Sequence, residues 1–145
     1  MHLLPATTHN YLFRATETLA EAIVADDVPS RYAIAHVAAL QAAAALIAAR
    51  TDPVEAASAG RRRPWNAWVR LKKVAPELSE WADYFAAGAA KRAAAEAGSI
   101  RAVTAEEADE QVRDADRFLA VVEESLGLMA HTSAATPLRH DRLVG

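Results

Sequence analysis

The chain of 145 residues contains no cysteine. Thiol nucleophiles, disulfide frameworks and zinc ribbons are therefore excluded, and the absence fits a reducing compartment. Glycine is scarce, and nowhere does it take the spacing of a phosphate-cradling loop. The histidines, His2, His9, His36, His131 and His140, have no metal-ligand spacing, and no carboxylate is placed with them. No metal and no cofactor are expected. No segment alternates polar and apolar residues as a half-buried strand does. No uninterrupted apolar run reaches the ~20 residues that span a bilayer. The nearest, "AIAHVAALQAAAALIAA", is broken by His36 and Gln41. The start, "MHLLPATTHNYLFR", lacks the apolar core of a signal peptide. These absences lead us to expect a cytoplasmic protein with no membrane partner.

What is present reads almost entirely as helix. The apolar spacing predicts a first helix over residues 8–25, with Leu12, Thr16, Leu19 and Ile23 on one face, ending where Pro29 bars continuation. A second follows over 30–50, capped by Asp27 or Ser30, with a line of Ala33, Val37, Leu40, Ala44 and Ile47. A short helix covers 65–74 after Pro64. The next covers 76–97, with Leu78, Trp81, Phe85 and Gly88 on one face and Gly98 as its stop. The last opens with the capping box "TAEE" at Thr104 and carries Ala108, Val112, Ala115, Leu119, Val122 and Leu126 as its core line. Residues from His131 onward show no periodicity and contain Pro137, the pattern of a mobile tail. The expectation is an all-α, antiparallel bundle of four main helices plus one short helix, one domain over residues 8–130 with a flexible tail over 131–145.

Charge is unevenly spread. "RRRPWNAWVRLKK" carries six positive charges and no negative one, whereas "EEADEQVRDADRFLAVVEE" carries eight acids against two arginines. Such asymmetry points to two faces with different partners, or to two segments that attract each other.

"ATETLAEAIVADDVPSRYAIAHVAALQAAAALIAAR" resembles the first half of a HEPN domain. "VAPELSEWADYFAAGAAKRAAAEAG" and "AEEADEQVRDADRFLAVVEESL" resemble its second hairpin, so the likeness runs over about residues 8–127. The whole is similar to small stand-alone HEPN proteins of high-GC bacteria. The resemblance implies a helical bundle that is commonly a homodimer. It also implies either a metal-independent ribonuclease or a non-catalytic module that binds RNA, a nucleotide or a protein. In the nuclease members the signature is an arginine, about four to six residues and then a histidine, near the start of the last core helix. Here the last helix holds Arg113 and Arg117 and no histidine. The one match to the pattern is Arg31 to His36, on the second helix.

That pair suits RNA cleavage in chemical terms. Histidine titrates near neutrality and can serve as general acid–base. Arginine offers a fork of donors to a phosphate. Geometry favours a plainer reading, because five residues at ~100° each set the two side chains about 140° apart around a helix. On that reading Arg31 is solvated or paired to Asp26 or Asp27, and His36 is partly buried on a second apolar stripe with Tyr32, Leu40 and Ile47, hydrogen-bonded to a neighbour.

The second candidate site is a basic–aromatic segment of Arg61, Arg62, Arg63, Trp65, Trp68, Arg70, Lys72 and Lys73. Its cations could neutralise phosphates and its tryptophans could stack on unpaired bases. The plainer reading has the tryptophans anchoring the short helix. Trp81, Tyr84 and Arg92 on the following helix could extend that surface. Gly88 costs that helix up to ~1 kcal/mol against alanine, which predicts close approach of another backbone. The expected function is a non-catalytic, homodimeric module that binds RNA, a nucleotide or a protein; the alternative is a metal-independent endoribonuclease using Arg31 and His36.

Overall fold

The computed structural model describes residues 3–52 and 66–132. Arg61, Arg62, Arg63 and Trp65 of the basic segment lie outside the described residues.

Helix α1 spans Ala6–Val24 and buries Thr8, Leu12, Ala15, Leu19 and Ala22. The expected face is thus turned by about one residue: Thr16 and Ile23 are exposed, and Ala15 and Ala22 take the contact. Small side chains let the next helix come close. Thr8 is buried because its hydroxyl donates to the Ala45 carbonyl at 2.9 Å.

Helix α2, Val28–Arg50, begins with the Asp27 carboxylate accepting from the Ser30 amide at 3.1 Å. Pro29 sits in the first turn, where its missing amide costs nothing. It therefore opens α2 as well as closing the previous segment. The expected line Ala33, Val37, Leu40, Ala44 and Ile47 is too narrow. Val37, Leu40 and Ala44 are half-buried, while Ala35, Ala39, Ala42, Ala43, Ala45 and Leu46 are fully enclosed. Among the described residues α2 is the one helix long and apolar enough to cross a bilayer by length and composition. In this fold it is the central element, packed most heavily by α1 and by the helix spanning 105–125, and also by those spanning 67–74 and 89–96.

Helix α3 is Ala67–Val74, capped by Asn66, whose side chain accepts from the Trp68 amide. The stretch expected as one helix over 76–97 comes in three pieces. These are a 3-10 turn at Pro76–Leu78, helix α4 at Ser79–Ala87 and helix α5 at Ala89–Glu96. The interruption falls on Gly88. Gly98, at φ +86°, ends α5 in the left-handed conformation that glycine adopts without penalty. Helix α6, Ala105–Ser125, opens with the full capping box: Thr104 accepts from the Glu107 amide, and Glu107 accepts from the Thr104 amide. Val112 and Leu126 of its expected core line are half-buried. Phe118 is fully buried instead, and so, nearly, are Gln111, Asp114 and Asp116.

Helix directions follow from the pairing. Thr8 meets Ala45, so α1 and α2 run antiparallel. Tyr84 meets Asp114 and Lys91 meets Glu107, so α4–α5 and α6 run antiparallel. Arg31 meets Asp109 and His36 meets Gln111, so α2 and α6 share a direction. The main elements α1, α2, α4–α5 and α6 thus alternate in direction, as in an up-down bundle. Among the described residues there is no strand.

The centre of the bundle is aromatic. Trp68 stacks on Phe85 at 5.1 Å, Phe85 lies 5.3 Å from Phe118, and Trp81 covers both. Full burial of each such side chain contributes about 1.5–3 kcal/mol. The two short helices α3 and α4 are thereby fixed against the long α2–α6 pair.

Candidate functional site

His36 lies inside this aromatic cluster, 1% exposed. Trp68 and Phe85 each present a ring at right angles to it, at 5.9 Å. Its Nδ1 is 3.3 Å from the Gln111 side-chain amide. Burial, helped by the positive charge of Arg92, pushes its pKa down to about 4. At neutral pH it is an uncharged imidazole, without the imidazolium charge that a general acid would bring to a phosphate.

Arg31 is engaged elsewhere. Its guanidinium donates to Asp109 at 2.8 Å and to the Ala25 carbonyl at 3.1 Å. It thereby closes the α1–α2 link onto α6. The predicted partners Asp26 and Asp27 do not take it as side chains: Asp27 serves as the cap, and Asp26 accepts only through its backbone carbonyl at 3.5 Å. The structure does not bring Arg31 and His36 together. The pattern "RYAIAH" resolves into a tie on the outside of the bundle and a histidine in its core.

A polar chain runs outward from His36. Gln111 spans from the imidazole to the Tyr84 hydroxyl, 3.3 Å from its Oε1. Tyr84 donates to Asp114 at 2.6 Å, and Asp114 accepts from Arg117 at 3.1 Å. Burial and this bond to Asp114 hold the Tyr84 hydroxyl well above the usual phenol range. A buried histidine is satisfied in this way, which removes most of the cost of enclosing a polar ring.

The basic–aromatic segment divides. Trp68 is 4% exposed and belongs to the core, so it is not free to stack on a base. Arg70 is half-buried, while Lys72 and Lys73 are exposed, with Lys72 bound to Asp83 at 2.8 Å. Trp81 is half-buried against Phe85 and Phe118. Arg92 is held within its own helix by Glu96 at 3.1 Å.

Two adjoining clefts open where α4 and α5 meet α6, and Tyr84 lines both. One, about 310 Å³, is lined by Tyr32, Gly88, Lys91, Glu107, Glu110 and Gln111 among others. The other, about 320 Å³, is lined by Glu80, Trp81, Tyr84 and Asp114. Gly88 makes room for a side chain rather than the expected backbone: a Cβ there would stand 2.7 Å from the Tyr32 hydroxyl oxygen. Lys91 crosses the first cleft to Glu107 at 2.7 Å. Tyr32, Gln111 and Asp114 were absent from the sequence-based candidates. The available signal was the polar pair Gln111 and Asp114, three residues apart beside the apolar line of α6.

A separate polar cluster closes the other end of α6. His131 contacts Asp116 at 2.5 Å and Glu123 at 2.6 Å. The bond to Asp116, then the Glu123 carboxylate, raise its pKa to about 9 despite partial burial. His131, expected as the first tail residue, is thus pinned to the bundle; residues 133–145 lie outside the described residues. Among the described residues no group of three histidines and acids is placed to hold a metal ion.

No curated protein and no solved structure matches the chain. The model of the SAV_6107-like HEPN family matches residues 22–123, more than half of the chain. The match runs from the end of α1 through nearly all of α6, and it takes in the central helix, the aromatic core and both clefts. The chain belongs to the SAV_6107-like HEPN family.

Proposed function

We propose that this HEPN domain is a non-catalytic binding module that acts through a partner held on its surface. The observation that carries the reading is the state of His36. A general acid–base needs a proton-transfer group that reaches substrate and titrates near the working pH. His36 is enclosed by Trp68 and Phe85, bonded to Gln111 and neutral across the physiological range. Arg31 is committed to Asp109. The surface offers binding features in their place: two contiguous clefts with aromatic walls along α4, α5 and α6. We further propose that the module works as a homodimer, as the family resemblance implies; the exposed Phe13, Ile23 and Val24 of α1 provide apolar surface for a second copy.

The test is incubation of a labelled mixed RNA pool with the protein in EDTA. We expect no cleavage. Cleavage that a folded His36→Ala variant loses would overturn the reading and restore the ribonuclease alternative. An RNA-binding role is a second reading, favoured by the exposed Lys72 and Lys73 on α3 next to the arginine run in the chain. It predicts binding that weakens steeply with salt and falls when both lysines are replaced by glutamine.

A further inference from the structure

The two clefts form one groove whose chemistry is acidic. Glu80, Glu107, Glu110 and Asp114 line it, against the single cation Lys91. Lys91 is committed to Glu107, and Asp114 to Tyr84 and Arg117. Among the described residues, no hydrogen bond or ion pair holds Glu80 or Glu110. A phosphate would meet uncompensated negative charge here. The walls are the ring of Tyr84, 44% exposed, and the half-buried indole of Trp81, and no described cation lies over either.

A second observation is independent of the acids. Tyr32 is 6% exposed, so its ring is fixed in the bundle, and its hydroxyl reaches the groove beside Gly88. Among the described residues that hydroxyl has no hydrogen-bond partner. The side chain is more than nine-tenths buried while its hydroxyl opens on the cleft, so the oxygen is held in place to bond a group that enters there. Gly88 keeps this position open, since any Cβ there would collide with the hydroxyl oxygen.

Aromatic faces, unpaired carboxylates and a free hydroxyl together are the complement of a guanidinium group. Guanidinium is planar, stacks on aromatic rings and donates in pairs to carboxylates. Within the chain the Asp114 carboxylate already accepts from a guanidinium, that of Arg117, at 3.1 Å. We propose that the Glu80–Tyr84–Glu110 groove, with Tyr32 at its far end, docks an arginine-bearing segment of a protein partner. The proposal rests on the reading of the domain as a binding module and names the chemistry of what it binds. The presence of two clefts that share Tyr84 favours a peptide over a single free amino acid. Two adjoining clefts, each of more than 300 Å³, can take two side chains of one segment.

The test is a titration of the full chain with a fluorescent pentapeptide carrying two arginines separated by glycine. The controls are its lysine counterpart and arginine amide, in about 150 mM salt, where long-range charge attraction is largely screened. We expect saturable binding of the arginine peptide, at least about tenfold tighter than either control. The Glu80→Gln/Glu110→Gln variant should weaken it by a further factor of about ten or more. Tyr32→Phe, which removes a hydroxyl with no internal bond, should weaken it by a few-fold while circular dichroism stays unchanged. Equal affinity for arginine and lysine peptides would overturn the proposal, as would binding indifferent to Glu80→Gln/Glu110→Gln. Arginine amide binding as tightly as the peptide would overturn the protein partner in favour of a small metabolite. These failures are separate from that of the binding-module reading, which is overturned by RNA cleavage that depends on His36.

Discussion

His36 and His131 are displaced in opposite directions by their surroundings, and the displacement has consequences for stability. His36 has a folded pKa of about 4, below its ordinary 6.5. Its contribution is fully present above pH 6.5 and is lost as pH falls toward 4, because the unfolded chain binds the proton first. Between pH 7 and pH 5 the loss amounts to about 2 kcal/mol. His131 has a folded pKa of about 9, raised by Asp116 and Glu123. Its contribution is present below 6.5 and is lost as pH rises through 9; screening at this partly exposed site leaves on the order of 1–2 kcal/mol. Stability should therefore peak near pH 6.5 in a series of denaturant melts. His131→Ala should flatten the alkaline side and leave the acid side unchanged. An alkaline limb that survives His131→Ala would contradict the assignment. His36→Ala should cost about 2–4 kcal/mol, since it opens a cavity between two rings and strands Gln111.

At the scale of elements, Gly88 is where helix propensity and packing disagree. Alanine there would favour helix by up to ~1 kcal/mol and would join α4 to α5. The Tyr32 hydroxyl, held on a buried ring, stands in the way at 2.7 Å. Gly88→Ala alone should lower the melting temperature. In a Tyr32→Phe background the same change should raise it, and additive effects in this double-mutant cycle would refute the contact. Glu107 has a double duty: one carboxylate oxygen closes the capping box on Thr104 and the other holds Lys91. Thr104→Ala should cost about 1 kcal/mol by thermal melt, with unravelling at the start of α6. The helices themselves were legible from the chain because proline, glycine and the capping box mark their ends. The break at Gly88 was legible only as a cost, since what it accommodates comes from α2, more than fifty residues away in the chain. The faces were read less well than the spans. In α1 and α2 alanine carries the contacts, and alanine gives little contrast between a buried and an exposed position. In α6 the buried Gln111, Asp114 and Asp116 run against the rule that polar residues face water, so periodicity alone passes over them.

For the whole molecule, the candidate site could be read only in part. Arg31 and His36 match a spacing, but spacing along one helix does not say which neighbours surround it. The α6 side chains decide that: Asp109 takes the arginine and Gln111 takes the histidine. Trp68 likewise looks like a stacking residue beside its cations and becomes the floor of the core once α3 folds against α2. In this HEPN bundle the residues of a nuclease pattern serve packing and closure, and the proposed binding falls to the acidic, aromatic groove along α4–α6. The most direct measurement is the pKa of His36, followed through its imidazole carbon-bound protons by NMR in the folded protein. The account predicts a resonance that does not titrate between pH 5 and 8 and a midpoint of about 4. A midpoint between 6 and 7, in a protein still folded, would place His36 in contact with solvent and contradict the core role on which the binding-module reading stands.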